Sequence, residues 1–133
     1  MDKLVGRIIY SGQAEGTILY STEPIGFFGH IDIHTGVILE KNHPLHGQTI
    51  KDKILVFPRA KGSTVGSYTI YGLKKYKASP AGMILSRCET IVAVGAIIAE
   101  IPCVDSLDIT HFSEGGYAYI SGGEILVETA HLH

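Results

Sequence analysis

No run of lysine or arginine, no tryptophan and no apolar stretch of bilayer-spanning length occurs in the 133 residues. Without a basic run there is no track for a phosphate backbone, and a formal charge of −2 does nothing to attract one. Nucleic acid is therefore not an expected partner. A membrane-spanning helix needs roughly 20 consecutive apolar residues. The N-terminal "MDKLVGRIIYSG" also lacks an apolar core of signal-peptide length. The expectation is a cytoplasmic protein with no membrane partner. Cysteine is scarce too: Cys88 and Cys103 are the two, both in apolar sequence. Buried free thiols are the favoured reading, with a disulfide second. Two thiolates fall short of the ligand set that an iron–sulfur cluster usually takes.

What is present is apolar and rich in turns: 45% hydrophobic residues, 18% charged, and 16 glycines. That balance argues against disorder, and the length predicts a single domain over residues 1–133. "LVGRIIY" and "GTILYS" are short, β-branched and bounded by glycine or serine, so both read as strands. "HIDIH" alternates, and a turn-like "HTG" precedes a further strand, "VILE". "NHPLHG" is turn chemistry around Pro44 and Gly47. "KILVFP" is a continuous apolar run of the kind buried on both faces of a sheet. After it, Val65, Tyr68, Thr69, Gly72 and Tyr76 keep helical spacing behind Ser63 or Thr64 as N-cap. Gly66 and Gly72 each cost about 1 kcal/mol inside such a helix, so something approaches it closely or the helix is short. "AGMIL" and "IPCVD" read as strands, and "ETIVAVGAIIAE" as a second helix with an apolar side broad enough to be mostly buried. "GYAYISGGEILVE" reads as a hairpin. The order predicts a mixed α/β layer protein with two helices.

Three chemistries are weak on these residues. His30, Asp32 and His34 would share a strand face, with His43 and His46 nearby, a pattern able to hold zinc. Neither H-E-x-x-H nor C-x-x-C accompanies them, and the prediction is no metal on this chain. His131 and His133 are assigned nothing. Lys61-Gly62-Ser63 lacks the upstream glycine of a phosphate-binding P-loop, and no G-x-S-x-G elbow occurs. The stretch "RAKGSTVGSY" (59–68) remains. A strand end, a glycine and Ser-Thr before a helix gather backbone N–H groups and the positive end of a helix dipole, with Arg59 and Lys61 adding charge. Such a corner can hold an anion or stabilise a serine alkoxide. Spacing alone favours the plainer reading, in which Ser63 only caps the helix.

The chain also resembles the swivelling domain, or small subunit, of the aconitase X group. The resemblance rests on "EGTILYSTEPIGFFG", on "IDIHTGVILEKNHPLHGQTIKDKILVFP" with its D-x-x-T-G and H-P-L-x-G segments, on "KGSTVGSY", and on "ASPAGMIL" and "VGAIIAEIPCVD". It covers nearly the whole chain in order and spacing. Ala60-Lys61-Gly62-Ser63 stands where many relatives have Gly-Arg-Gly-Ser. Lysine keeps the charge and loses the bidentate fork. His30 stands where relatives often have glycine.

The resemblance implies a swivelling β/β/α domain of the aconitase type, with mixed sheets and about two main helices. It implies half of a hydro-lyase, in which a large subunit carries a [4Fe-4S] cluster and this chain binds none. By its place in the motif Ser63 becomes the catalytic base, with Lys61, Gly62, Thr64 and Arg59 as substrate contacts. The implied reaction is dehydration of (R)-5-phosphomevalonate, a phosphorylated hydroxy acid, to trans-anhydromevalonate 5-phosphate in an archaeal-type mevalonate pathway. A hydroxyproline-type substrate, or a non-catalytic module binding an anion or a partner, are the alternatives.

Overall fold

Ile54–Phe57, the "ILVF" run, is buried at every position in the computed structural model, which describes residues 2–128. Successive strand side chains point to opposite faces, so this strand divides two cores. Ile54 and Val56 face one and Leu55 and Phe57 the other. Burying each such side chain is worth about 1.5–3 kcal/mol, which makes this run the pivot of the layering.

Four strands precede or begin that arrangement: β1 (Asp2–Val5), β2 (Arg7–Tyr10), β3 (Gln13–Tyr20) and the short β4 (Ile25–Gly26). Ile54–Phe57 is β5, followed by β6 (Ala60–Lys61), helix α1 (Gly66–Lys75), β7 (Gly82–Leu85), helix α2 (Thr90–Ala99) and β8 (Cys103–Asp105). A single 3-10 turn, Ile109–His111, leads to the hairpin β9 (Tyr117–Ser121) and β10 (Glu124–Glu128). Its loop is Gly122-Gly123, with Gly122 at φ +59°.

Eight strands form one sheet in the order β1-β10-β9-β3-β5-β7-β8-β2. The β3-β5-β7-β8 centre is parallel and the flanks are antiparallel. The two end strands are separated in the chain by Gly6 alone, so the sheet curls into a nearly closed barrel. "LVGRIIY", expected as one strand, is two strands with different partners. A Cβ on Gly6 would lie 2.6 Å from both the Asp105 carbonyl oxygen and Val104 Cγ1, so only glycine passes there.

Ile18, Ile84, Ala118, Ile120, Ile125 and Val127 fill the barrel interior with the inward residues of β5. On the other side, Leu19, Met83, Leu85 and Cys103 pack under α1 (Ile70, Leu73), α2 (Val92, Ala96) and the long loop carrying Phe27, Ile31, Ile38 and Ile50. That loop contains no regular strand among the described residues. "HIDIH" and "VILE" contribute only the isolated bridges Ile31–Ile38 and Val37–Thr49. The apolar side of α2 is also less covered than expected. Val92, Gly95, Ala96 and Ala99 are buried, whereas Ile97 and Ile98 are about half exposed. The helices form a single layer, so each buries only the side facing the sheet and its neighbour. Among the described residues no helix is long and apolar enough to cross a membrane.

Candidate active-site corner at Ser63

The corner is built where β5 ends at Pro58. The Arg59 carbonyl accepts from the Ile25 N–H at 3.1 Å, and β6 pairs in parallel with β4, Ala60 against Ile25 and Lys61 against Gly26. Gly62 then turns the chain at φ +95°, with open space where a Cβ would stand. Its requirement is conformational, not steric. The Gly66 N–H donates to the Ser63 carbonyl at 3.1 Å, and the Val65 N–H donates to Ser63 Oγ at 3.2 Å.

This geometry corrects the expected cap. Helix α1 begins at Gly66, and Val65 holds the cap position without a side-chain bond. A β-turn from Ser63 to Gly66 delays the helix, so Ser63 stands upstream of it with its side chain exposed. Gly66 is pressed against α2 and the aromatic loop: its Cβ would meet Ile91 Cγ2 at 3.1 Å and Phe27 Cβ at 3.5 Å. That is the close approach the glycine signalled.

Arg59, Lys61, Gly62, Ser63 and Thr64 are all exposed on this one segment. Lys61 is not free. Its Nζ lies 2.6 Å from Glu40 Oε2, while Glu40 Oε1 is buried without a partner among the described residues. The hydrogen bond from Lys61 is the main force holding the Glu40 carboxyl below its ordinary 4.5, against burial, with His30 and His43 adding attraction. Spacing carried no signal for Glu40, which reaches the corner from a loop 21 residues earlier. Beside Ser63, the side chains of Phe28, Ile33, Val65, Tyr68 and Thr69 line an apolar hollow of about 400 Å³.

The histidines do other work. His43 is buried; its Nδ1 accepts from the Leu45 N–H at 3.0 Å, which leaves the proton on Nε2, 3.1 Å from the Pro24 carbonyl. It fixes the loop beneath Glu40. Asp32 Oδ1 accepts from the His34 N–H at 2.8 Å, and the His34 ring packs at a tilt against Tyr76, with ring centroids 4.1 Å apart. The strand-face zinc pattern is therefore absent. Among the described residues no group of three His, Cys, Asp or Glu side chains is placed to hold a metal ion. His131 and His133 lie outside the described residues.

An exposed hydroxyl, a backbone donor on its oxygen, a neutralised lysine and an apolar shelf lie open on the surface rather than in a closed cleft. The corner is set on a nearly closed mixed barrel with two helices. Residues 3–129 match the family model of the aconitase X swivel domain, and the chain belongs to that family. It is 49% identical over 129 residues to a "Phosphomevalonate dehydratase small subunit" of Methanosarcina mazei, covering 95% of this chain and 90% of that protein. The protein of the same name from Thermococcus onnurineus is 47% identical over 126 residues, covering 95% and 97%. The crystal structure of Thermococcus kodakaraensis aconitase X (holo-form) matches at a TM-score of 0.93 and 45% identity, over 96% of this chain and 98% of that one.

Proposed function

We propose that this chain is the small subunit of a heteromeric, cytoplasmic hydro-lyase. It acts with a large subunit to dehydrate (R)-5-phosphomevalonate to trans-anhydromevalonate 5-phosphate in an archaeal-type mevalonate pathway. The observation that carries the reading is near-end-to-end similarity, at close to half identity, to several proteins named as phosphomevalonate dehydratase small subunits.

On this reading Ser63 removes the proton from the carbon beside the substrate carboxylate as the C3 hydroxyl departs. A serine hydroxyl is a very poor base unless its surroundings favour the alkoxide. Here the Val65 N–H already points at Oγ, and the start of the ten-residue α1 adds its positive dipole end. Gly62 sets the angle that exposes Oγ. Lys61, with Arg59 and Thr64 on either side, faces the substrate anions.

An iron–sulfur cluster does not fit this chain. Its cysteines are Cys88 and Cys103, Cys103 is fully buried, and among the described residues no group of three His, Cys, Asp or Glu is placed to hold a metal ion. We assign the cluster to the large subunit.

One observation favours a second reading, a non-catalytic module for an anion or a partner: the Lys61 charge is already matched by Glu40. The assay is turnover of 5-phosphomevalonate by the complex assembled with the large subunit, wild type against Ser63→Ala. Ser63→Ala is expected to lower turnover about 10²–10⁴-fold. Loss of one exposed hydrogen bond costs it only about 0.5–1.5 kcal/mol of stability. Retained turnover in the variant removes Ser63 as the base, and an inactive wild-type complex favours the binding module.

A further inference from the structure

Away from the Ser63 corner, the two thiols meet at the start of α2. Cys88 lies in the loop that leads from β7 into α2, and Cys103 lies on β8, the strand next to β7. The Cys88 N–H donates to Asp105 Oδ2 at 2.7 Å. Asp105 is two residues beyond Cys103 on β8 and so faces the same way. Arg7 on β2 grips the same carboxylate with two bonds, at 2.9 and 2.8 Å. Cys88 packs against the core cluster that contains the buried Cys103, while the Cys88 S–H lies 3.6 Å from the Glu89 carbonyl.

The two sulfurs have unequal surroundings. Cys103 is wholly buried, whereas Cys88 is half-buried at a polar cleft of about 530 Å³ lined by residues from Arg87 to Ile91. The neighbouring Cys103 thiol holds the Cys88 thiol below its ordinary 9.0, and the Arg7 guanidinium adds to this. Burial and the Asp105 and Glu89 carboxylates oppose it. The same pairing, with burial, pushes Cys103 well above that value. One sulfur thus sits at the solvent edge, and its neighbour is buried behind it. Packing alone requires neither the pairing nor the opening.

We propose that Cys88 and Cys103 form a hydroperoxide-reactive pair, with Cys88 attacking and Cys103 resolving. The Cys88 thiolate attacks one oxygen of the peroxide; the O–O bond breaks, an S–O bond forms, and the departing oxygen takes a proton and leaves as water or an alcohol. The Cys103 sulfur then attacks the Cys88 sulfenic acid. An S–S bond forms, the S–O bond breaks, and the hydroxide leaves as water with the Cys103 proton. In sum, two thiols lose two electrons and two protons to the peroxide. A dithiol reductant reverses the change by exchange.

The test treats the reduced full chain with stoichiometric hydrogen peroxide, quenches it, unfolds it in denaturant, alkylates it with iodoacetamide, and reads intact and peptide masses. The expected wild-type product is a monomer that has lost two hydrogens and both alkylatable thiols, with both regained after dithiothreitol. Cys103→Ser is expected to halt at a sulfenic acid on Cys88 that dimedone captures. Three wild-type results would overturn the proposal: both thiols still alkylated after peroxide, Cys88 carried on to sulfinic acid beside a free Cys103, or a disulfide joining two chains. The wild-type products decide by themselves, so the test stands even where the Cys103→Ser chain fails to fold.

Discussion

Glu40 holds Lys61 with one oxygen and leaves the other buried and unpartnered among the described residues, so two residues set the charge beside Ser63. Replacing Lys61 by glutamine removes the main force that keeps the Glu40 carboxyl low. Because the lysine side chain is 40% exposed, the expected stability loss stays under about 1 kcal/mol in urea unfolding. On the proposed reading the kinetic loss appears as a raised KM for the anionic substrate more than as a lowered kcat. Asp105 gives a pH prediction of known sign. Burial pushes its carboxyl up, but bonds from Arg7, the Cys88 N–H and Ser106 prevail and hold it below its ordinary 3.8. A depressed folded-state value stabilises the fold above the unfolded value, and that stability is lost as pH falls through the folded one. The unfolding midpoint in urea should therefore drop as pH falls below about 4. Asp105→Asn, less stable at neutral pH, should show a flatter acid limb. At this scale the sequence carried part of the site. The Lys61-Gly62-Ser63 run is a contiguous motif, whereas Glu40 and the pairing of Cys88 with Cys103 depend on loops and strands meeting from afar.

The two helices touch where Gly95 of α2 faces Ile70 of α1. A Cβ on Gly95 would lie 2.6 Å from Ile70 Cδ1 and 2.9 Å from its Cβ. Gly95→Ala should therefore cost about 1–3 kcal/mol through overpacking, more than the gain in helix propensity returns. Trimming the partner as well, as Ile70→Val with Gly95→Ala, should cost less than the sum of the two single changes. Gly72 is the opposite case. Its Cβ would meet Ile33 at 3.6 Å, an ordinary contact, so Gly72→Ala should raise stability by about 0.5–1 kcal/mol. Chemical denaturation of both variants checks the contrast in sign. The helices, β5, β7, β8 and the terminal hairpin were legible because each carries its own period or turn chemistry. "HIDIH" was not, since alternation over five residues is also met by a loop whose backbone bonds run to turns. The Asx turn from Asp32 to the His34 N–H decides that competition locally.

For the whole molecule, closure depends on one ribbon: β1 completes one end of the sheet against β10, and β2 the other against β8. A chain lacking residues 1–10 should expose both edge strands. The expected result is self-association in size-exclusion chromatography and a broadened thermal transition, whereas a sharp monomeric transition would show that closure contributes little. The mixed α/β class and the number of helices could be read from the sequence, and the resemblance named the domain type. The barrel could not be read, because Gly6 inside an apolar run has the local look of a minor blemish in one strand. Only the positions of Val104, Asp105 and Leu107, far along the chain, reveal that a Cβ has nowhere to go.

The Gly6 junction also has a consequence in time. The ribosome makes β1 and β2 before any of their partners, and those partners, β8 and β10, end at Asp105 and Glu128. A nascent chain therefore carries this ribbon unpaired until β8 and then β10 have been made. The barrel closes only when β10 reaches back to β1, a pairing between distant parts of the chain, so closure is a late and long-range step of folding.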